Sequence, residues 1–229
     1  MENEWITCHG WGLNATLFDH WEAHLPEGVS INHCDRGYTA RPHTARFSPD
    51  AKWRVLWVHS FGLHWCPKEL IREADHLVIL SGFWRFHPHN PEQGRLSRRG
   101  VMLMRRQLVS DPKRLLETFC QRVYEPATSC GLERDRLNQD LLLRDLDRLG
   151  EVEFDDADIR HVPDITVISG EADRILQPDC RDELLEMLPL DTRWIVFRTE
   201  GHAAGITNPE SLFYYLNQSA SGAGLRNEE

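Results

Sequence analysis

The chain has 229 residues, with 36 acidic side chains against 26 basic ones and a formal net charge of −10. This length suits one α/β domain with a substantial core and is short for two domains. The acidic balance argues against nucleic-acid binding, and no apolar run reaches about 18 residues, the length that a membrane-spanning helix needs.

Six apolar segments are predicted to be β-strands, and helical patterns separate most of them. In chain order the predicted strands are Glu4–Cys8, Ile31–Cys34, Arg54–His59, Leu77–Leu80, Ile165–Ile168 and Arg193–Phe197. Helical patterns begin after Asn14, after Gly62, at Gln177 and at Pro209. This alternation predicts an α/β fold, with a mostly parallel sheet of about six strands and helices on both faces.

One long segment breaks the alternation. From Arg85 to about Phe154 no convincing strand occurs, and leucines recur at helical spacing. We therefore predict an α/β core over 1–84 and 155–217, with a helical cap inserted over 85–154. The Gly/Ser-rich and then charged tail, 218–229, is predicted to be disordered.

The cysteines and the N-terminal residues indicate the cellular compartment. Six cysteines are scattered without a Cys-x-x-Cys pair, and the acidic start Met1-Glu2-Asn3-Glu4 does not resemble a signal peptide. We therefore expect a cytoplasmic protein with reduced thiols. His87-Pro88-His89 is a weak metal-binding pattern, better interpreted as a solvated loop, so the sequence predicts no metal site.

The third predicted strand ends in a pattern typical of a nucleophile elbow. Ser60 follows the buried strand directly, and Gly62 opens a helical pattern carrying Leu63, Trp65, Leu70 and Ile71. A strand, a sharp turn and a helix would raise the Ser60 hydroxyl out of the sheet. The usual motif is Gly-x-Ser-x-Gly, and Val58 stands where the first glycine is expected.

A general base and an acid follow Ser60 in the chain order of α/β-hydrolases. Asp173 comes shortly after the fifth predicted strand, and His202 follows the sixth, directly after Gly201. Carboxyl ends of parallel strands meet at one edge of a sheet, so Ser60, Asp173 and His202 are predicted to form a catalytic triad. Glu171 is a rival for the acid, and His59 is expected to point away from the base position.

An oxyanion hole requires two amide donors beside the nucleophile. The first is predicted to be the backbone N–H of Phe61, the residue after Ser60. The loop His9-Gly10-Trp11-Gly12 follows the first strand, and its glycines allow the backbone to expose amides. We predict the backbone N–H of Trp11 as the second donor.

These motifs resemble the α/β-hydrolase superfamily over nearly the whole chain, and more narrowly the pimeloyl-acyl-carrier-protein methyl ester esterases of biotin synthesis. The run His9-Gly10-Trp11-Gly12-Leu13-Asn14-Ala15 is similar to the oxyanion loop of that family. The run from Gln107 to Phe119 resembles its cap. Gly201-His202-Ala203, followed by Asn208-Pro209-Glu210, resembles its C-terminal end.

The resemblance implies a reaction in which Ser60 attacks a methyl ester, methanol leaves, and water releases the acid still attached to its carrier. It implies no metal or organic cofactor. It also implies an apolar acyl channel under the cap, for which four residues are candidate lining: Phe83, Trp84, Phe119 and Leu142. The oligomeric state stays open, with a monomer as the simplest expectation.

Basic residues are concentrated in the predicted cap. Between residues 85 and 122 nine Arg and Lys residues face only three acidic ones, whereas the rest of the chain is acidic. A basic face on an acidic protein favours an acidic partner such as an acyl carrier protein. The predicted docking residues are Arg98, Arg99, Arg105, Arg106, Lys113 and Arg114. The alternative interpretation is a solvated helical surface.

Two further hypotheses remain open. One is a small-molecule esterase, lactonase or carbon–carbon bond hydrolase with the same triad, which would need no docking face. The other is a binding module that has lost catalysis, and the only sequence feature that supports it is Val58. Modification of Ser60 by a fluorophosphonate would separate an active hydrolase from an inactive one.

Overall fold

A single parallel sheet forms the centre of the molecule. The computed structural model describes residues 3–127, 136–154 and 157–220. Its strands are β1 (Asn3–Cys8), β2 (Val29–Cys34), β3 (Trp53–His59), β4 (His76–Leu80), β5 (Asp164–Gly170) and β6 (Arg193–Phe197). They pair in the order β2-β1-β3-β4-β5-β6, every pair parallel. The six predicted strands and the α/β fold class are thereby confirmed.

Helices follow the strands and connect them. A 3₁₀ helix spans Ala15–His24, and the α-helices are α1 (Gly62–Trp65), α2 (Lys68–Glu73), α3 (Pro91–Ser110), α4 (Pro112–Tyr124), α5 (Gln139–Arg148), α6 (Pro178–Met187) and α7 (Pro209–Ala220). Asn14 caps the 3₁₀ helix, its side-chain oxygen accepting from the backbone N–H of Thr16. In this described part of the chain, no helix is long and apolar enough to cross a membrane.

Two helices differ from the predicted pattern. The helix expected after Gly62 is split, because Pro67 lacks a backbone N–H donor and disfavours helical geometry in Cys66 before it. At the other end of the chain, α7 runs to Ala220, so the tail predicted from residue 218 begins as helix. The remainder of that tail, 221–229, lies outside the described residues.

The four central strands of the sheet are buried on both faces, and alternate residues of β1, β3, β4 and β5 enter separate cores. On one face Trp5, Val55 and Trp57 pack with the 3₁₀ helix and α7. On the other face a second cluster packs with α2 and α6, and it includes Val58. Val58 lies between Cys8 of β1 and Ile79 of β4 and has no exposed surface. The bulky residue in the elbow motif is therefore a fully buried core residue.

The three helices between β4 and β5 extend beyond the carboxyl ends of the strands. Arg85 and Glu153 form an antiparallel bridge, so the segment leaves and rejoins the sheet at one place. Helix α3 packs against both α4 and α5. The boundary of the cap, 85–154, stays a prediction, but its helices cover the edge where Ser60, Asp173 and His202 lie.

Candidate active site

Ser60 occupies a strained turn between β3 and α1. Its φ angle is 53°, in the left-handed region that side chains other than glycine rarely adopt. The turn is held because the Ser60 backbone N–H donates to the carbonyl of Leu80 at 2.8 Å. A Cβ atom on Gly62 would lie 2.4 Å from the Cys8 carbonyl oxygen, so only glycine fits there. This geometry presents the Ser60 hydroxyl beyond the sheet edge.

The residues predicted as a triad form one continuous hydrogen-bonded chain. Ser60 Oγ lies 2.9 Å from Nε2 of His202, and Nδ1 of His202 lies 2.7 Å from Oδ2 of Asp173. The other Asp173 oxygen accepts from the backbone N–H groups of Ile175 and Leu176 at 2.7 and 3.1 Å. A base can therefore take the Ser60 proton while the carboxylate fixes the imidazole orientation.

Electrostatics keep the Asp173 carboxyl ionised. Burial is the largest influence and acts to raise its pKa, but attraction and hydrogen bonding to His202 act in the opposite direction. With the two backbone donors added, the net effect is a pKa below the usual value. The carboxylate is thus available to stabilise an imidazolium as it forms on His202.

Glu171, the rival acid, lies outside this chain of hydrogen bonds. It is exposed, and its backbone N–H donates to the carbonyl of Phe197 at 3.1 Å. The turn between β5 and α6 directs Asp173, two residues later, toward His202. The geometry therefore favours Asp173 over Glu171 for the acid position.

His59 contacts His202, the predicted base, contrary to the expectation that its side chain would point away. Its ring lies 5.0 Å from the His202 ring, and its Nε2 is 3.0 Å from the His202 carbonyl oxygen, to which it can donate. The ring has no exposed surface, and burial lowers its pKa to about 3. His59 is therefore a neutral support for the loop that carries His202. Its position directly before Ser60 was the only sequence feature that could have indicated this.

The predicted oxyanion donors flank Ser60. A Cβ atom on Gly10 would lie 3.1 Å from the Ser60 Cβ, which shows how closely the loop after β1 approaches Ser60. Within the described residues, the backbone N–H groups of Trp11 and Phe61 have no hydrogen-bond acceptor. Two unpaired amides beside a nucleophile can stabilise a developing oxyanion.

Helix α5 holds the loop after β1 in place. The Trp11 indole N–H donates to the carbonyl of Leu142 at 2.9 Å. One helical turn further, buried Asp145 accepts hydrogen bonds from the Arg36 guanidinium at 2.8 and 3.0 Å and from the Tyr38 hydroxyl at 2.7 Å. These bonds join α5 to the loop after β2, and they connect residues over 100 positions apart. Sequence reasoning had no local pattern from which to find them.

A cavity of about 340 Å³ opens above Ser60, between the sheet edge and helices α3 and α4. Apolar side chains form much of its wall. The apolar lining residues include Trp11, Phe61, Leu103, Met104, Leu115, Phe119 and Ile175. Such a cavity, apolar with a reactive group at one end, is typical of a small-molecule binding site.

Only one of the four predicted lining residues contributes to this cavity, and that residue is Phe119. Phe83 is buried in the core and stacks on His64 at 4.5 Å between ring centroids. Trp84 packs against Phe154 in the second core. Leu142 has a buried side chain and contributes its carbonyl to Trp11. These three side chains are buried in the two cores and do not line the cavity, so they are packing residues.

The predicted docking residues lie on the outer surfaces of two helices. Arg98, Arg99, Arg105 and Arg106 are exposed on α3, and Lys113 and Arg114 are exposed in the first turn of α4. Arg105 is paired with Asp147 at 2.8 Å. The Arg114 backbone N–H donates to the capping carboxylate of Asp111. Their role in docking stays a prediction.

Comparison with known proteins defines the fold. No protein-family model and no curated protein matches the chain. Among solved structures, an esterase from Exiguobacterium antarcticum is similar, with a TM-score of 0.73, 13% identity, and coverage of 96% of this chain and 92% of that one. The chain has the α/β-hydrolase fold.

Two further α/β-hydrolase neighbours show how widely this fold is used. A hydrolase from Oleispira antarctica has a TM-score of 0.72 at 11% identity, covering 95% of this chain and 92% of that one. The enol-lactonase from Burkholderia xenovorans LB400 has a TM-score of 0.68 at 10% identity, covering 96% and 92%. At such identities the likeness concerns the fold, and the chemistry must be argued from the site.

Proposed function

We propose that the protein is a serine carboxylesterase, with Ser60 as nucleophile, His202 as general base and acid, and Asp173 as the orienting carboxylate. The observation that carries this proposal is the hydrogen-bonded chain from Ser60 Oγ to His202 at 2.9 Å and from His202 to Asp173 at 2.7 Å. It ends at an apolar cavity with two unpaired amides beside the hydroxyl. A binding module without catalysis would have no need of this arrangement.

The reaction proceeds in two halves. His202 Nε2 takes the proton of Ser60 while Oγ attacks the ester carbonyl, and the backbone N–H groups of Trp11 and Phe61 stabilise the oxyanion. The carbon–oxygen bond to the alcohol breaks as His202 returns the proton to the leaving group. Water then attacks the acyl-enzyme with His202 again as base, which releases the carboxylic acid and regenerates Ser60.

For the substrate, we propose the methyl ester of a pimeloyl group carried by an acyl carrier protein. The resemblance of the oxyanion loop supports this substrate, as do the apolar cavity and the exposed basic residues on α3 and α4. The Lys113 and Arg114 side chains lie in the first turn of the helix that brings Phe119 to the cavity. An acidic carrier bound there would deliver its acyl chain close to Ser60.

A small soluble ester is the second candidate substrate. A cavity of about 340 Å³ is near the lower end of the usual range for ligand pockets, roughly 300–1,000 Å³, and can hold a short acyl chain without a carrier. The solved structures with similar folds include an esterase and an enol-lactonase. Hydrolysis of soluble esters without any effect of the basic residues would favour this candidate.

Covalent labelling tests the proposed nucleophile directly. We expect a fluorophosphonate to modify the parental protein once, at Ser60, and to leave Ser60→Ala unmodified, as read by intact mass and peptide mapping. Unmodified parental protein would refute the esterase proposal. Complementation of a biotin auxotroph that lacks its methyl ester esterase tests the carrier-bound substrate, and failure with soluble, labelled protein would refute that substrate alone.

A further inference from the structure

The charge of the cavity differs from the charge of the chain. The protein carries a formal net charge of −10, yet among the described residues that line the cavity, two are arginines and none is acidic. These arginines are Arg122, from α4, and Arg174, from the loop between β5 and α6. Two arginines from separate elements in the wall of an apolar cavity are not needed to hydrolyse a neutral ester.

Arg122 lacks an acidic partner in the part of the chain that the structure describes, and it is exposed. Its neighbours in the cavity wall are Thr118 and Phe119, one turn earlier on the same helix. A guanidinium without a carboxylate partner has all its donors available to a ligand. Arg122 is thus poised to bind an anion at the exposed side of the cavity.

Arg174 has one carboxylate partner, and that contact is weak enough to be exchanged. Its Nη1 lies 3.1 Å from Oε2 of Glu125, with the Arg174 side chain 74% exposed and that of Glu125 42% exposed. Exposed ion pairs of this kind contribute only about 0–1 kcal/mol. An anionic ligand can therefore replace Glu125, or share the guanidinium with it, without a large cost.

We propose that Arg122 and Arg174 form an anion-binding subsite, so that the preferred ester carries a carboxylate or phosphate on the part of the molecule remote from the reacting carbonyl. This inference rests on the proposed ester hydrolysis at Ser60. The ester end of the substrate lies at Ser60, its methylene chain lies along the apolar wall, and its anion lies between the two guanidinium groups. Charge-assisted hydrogen bonds to planar guanidinium groups suit both anions.

Two sources could supply the anion. One is the free carboxylate of a dicarboxylic acid half-ester, and the other is the phosphate in the prosthetic arm of an acyl carrier. The experiment separates them with two matched pairs of substrates. Monomethyl pimelate is compared with dimethyl pimelate, and the phosphopantetheine thioester of monomethyl pimelate is compared with its pantetheine counterpart, which lacks the phosphate.

The measured quantity is the ratio of kcat/KM for the charged member of each pair to that for the neutral member. We expect a ratio above one for at least one pair in the parental protein. Arg122→Gln and Arg174→Gln should each lower that ratio by about fivefold, and the double variant by about tenfold or more, mainly through KM. Arg122→Lys should restore part of it. Arg46→Gln, an exposed change outside the cavity wall, serves as the matched control and should leave the ratio as it is.

Direct binding keeps this inference distinguishable from the proposed function. With Ser60→Ala, calorimetry compares pimelate, a dianion, with the neutral pimelic diamide, and pimelate binding should weaken in the Arg122→Gln background. If no ester is hydrolysed but pimelate binds through Arg122, the esterase proposal fails and the subsite stands. A charged-to-neutral ratio of about one for both pairs, unchanged by either arginine substitution, would overturn the subsite while leaving the esterase intact.

Discussion

Replacing Asp173 with asparagine tests the proposed order of the triad most sharply. In the native site, Oδ1 of Asp173 accepts from the backbone N–H groups of Ile175 and Leu176, and Oδ2 accepts from His202 Nδ1. In Asp173→Asn, the amide oxygen should keep the two backbone donors, because a side-chain NH₂ placed there would face two N–H groups. The new NH₂ then faces His202 Nδ1.

The magnitude follows from the tautomer that this geometry imposes. An NH₂ donor makes Nδ1 an acceptor, so the proton moves to Nε2, 2.9 Å from Ser60 Oγ. A protonated Nε2 cannot take the hydroxyl proton, and loss of the carboxylate also removes the charge that stabilises the imidazolium. The corresponding change in a Ser-His-Asp protease lowers kcat by about 10⁴, equivalent to roughly 5.4 kcal/mol of barrier. We expect a loss of the same order here.

The assay is kcat for hydrolysis of p-nitrophenyl butyrate at neutral pH, with circular dichroism and thermal unfolding to confirm that the variant is folded. Glu171→Gln is the matched control, since it removes an acidic charge two residues away that has no contact with His202. We expect this control to retain nearly the parental rate. If Asp173→Asn is folded and loses less activity than Glu171→Gln, the assignment of the acid is wrong.

Four other outcomes follow from the described contacts. Ser60→Ala should abolish ester hydrolysis with the fold intact, since loss of a triad member can cost about a million-fold, and retention of more than about a hundredth of the activity would contradict the assignment. Arg114→Glu, alone or with Lys113→Glu, should sharply lower kcat/KM for the carrier-bound ester and leave the hydrolysis of p-nitrophenyl butyrate nearly unchanged. Added salt should lower the activity of the parental enzyme on the carrier-bound ester, because salt screens exposed charges. Equal loss on both substrates would instead indicate damage to the fold. Val58→Ala should lower the free energy of unfolding by about 1.5–3 kcal/mol in urea, because Val58 is fully buried, and a stabilised variant would show that it does crowd the elbow. Burial lowers the pKa of His59 to about 3 and that of His76 to about 4, both from 6.5, so between pH 6.5 and 4 the unfolded chain binds protons that the folded chain does not. The free energy of unfolding should therefore fall on acidification by up to about 1.4 kcal/mol per pH unit for each histidine. A free energy of unfolding that stays constant over this pH range would refute the prediction.

The framework of the site was predictable because it follows the edge of the sheet. Parallel strands end at one edge, so polar residues that come directly after strands are brought together whatever lies between them in sequence. Ser60, Asp173 and His202 each follow a strand, and the glycines around Trp11 mark a loop at the same edge. Strand patterns and chain order were therefore enough to place the three side chains that form the hydrogen-bonded chain.

Contacts with the inserted helices could not be predicted in the same way. Phe83, Trp84 and Leu142 are large apolar residues in or beside the predicted cap. Which side of a helix or turn meets the cavity, however, depends on tertiary packing. The bonds from Trp11 to Leu142 and from Arg36 to Asp145 join residues 131 and 109 positions apart. No local periodicity encodes such pairs. The position of Arg174 in the cavity wall was likewise not predicted from the sequence, although Arg174 directly follows Asp173.

The distribution of the triad along the chain also bears on folding. Ser60 and His202 are 142 positions apart, and each reaches the site only when its strand has paired within an all-parallel sheet. Pairing of parallel strands requires long crossovers, so much loop-closure entropy is lost before the contacts that compensate for it can form. A refolding intermediate with β1 to β4 in register would contain the elbow but not the base. Recovery of esterase activity during refolding would therefore report the docking of β5 and β6, whereas helical circular dichroism would recover earlier.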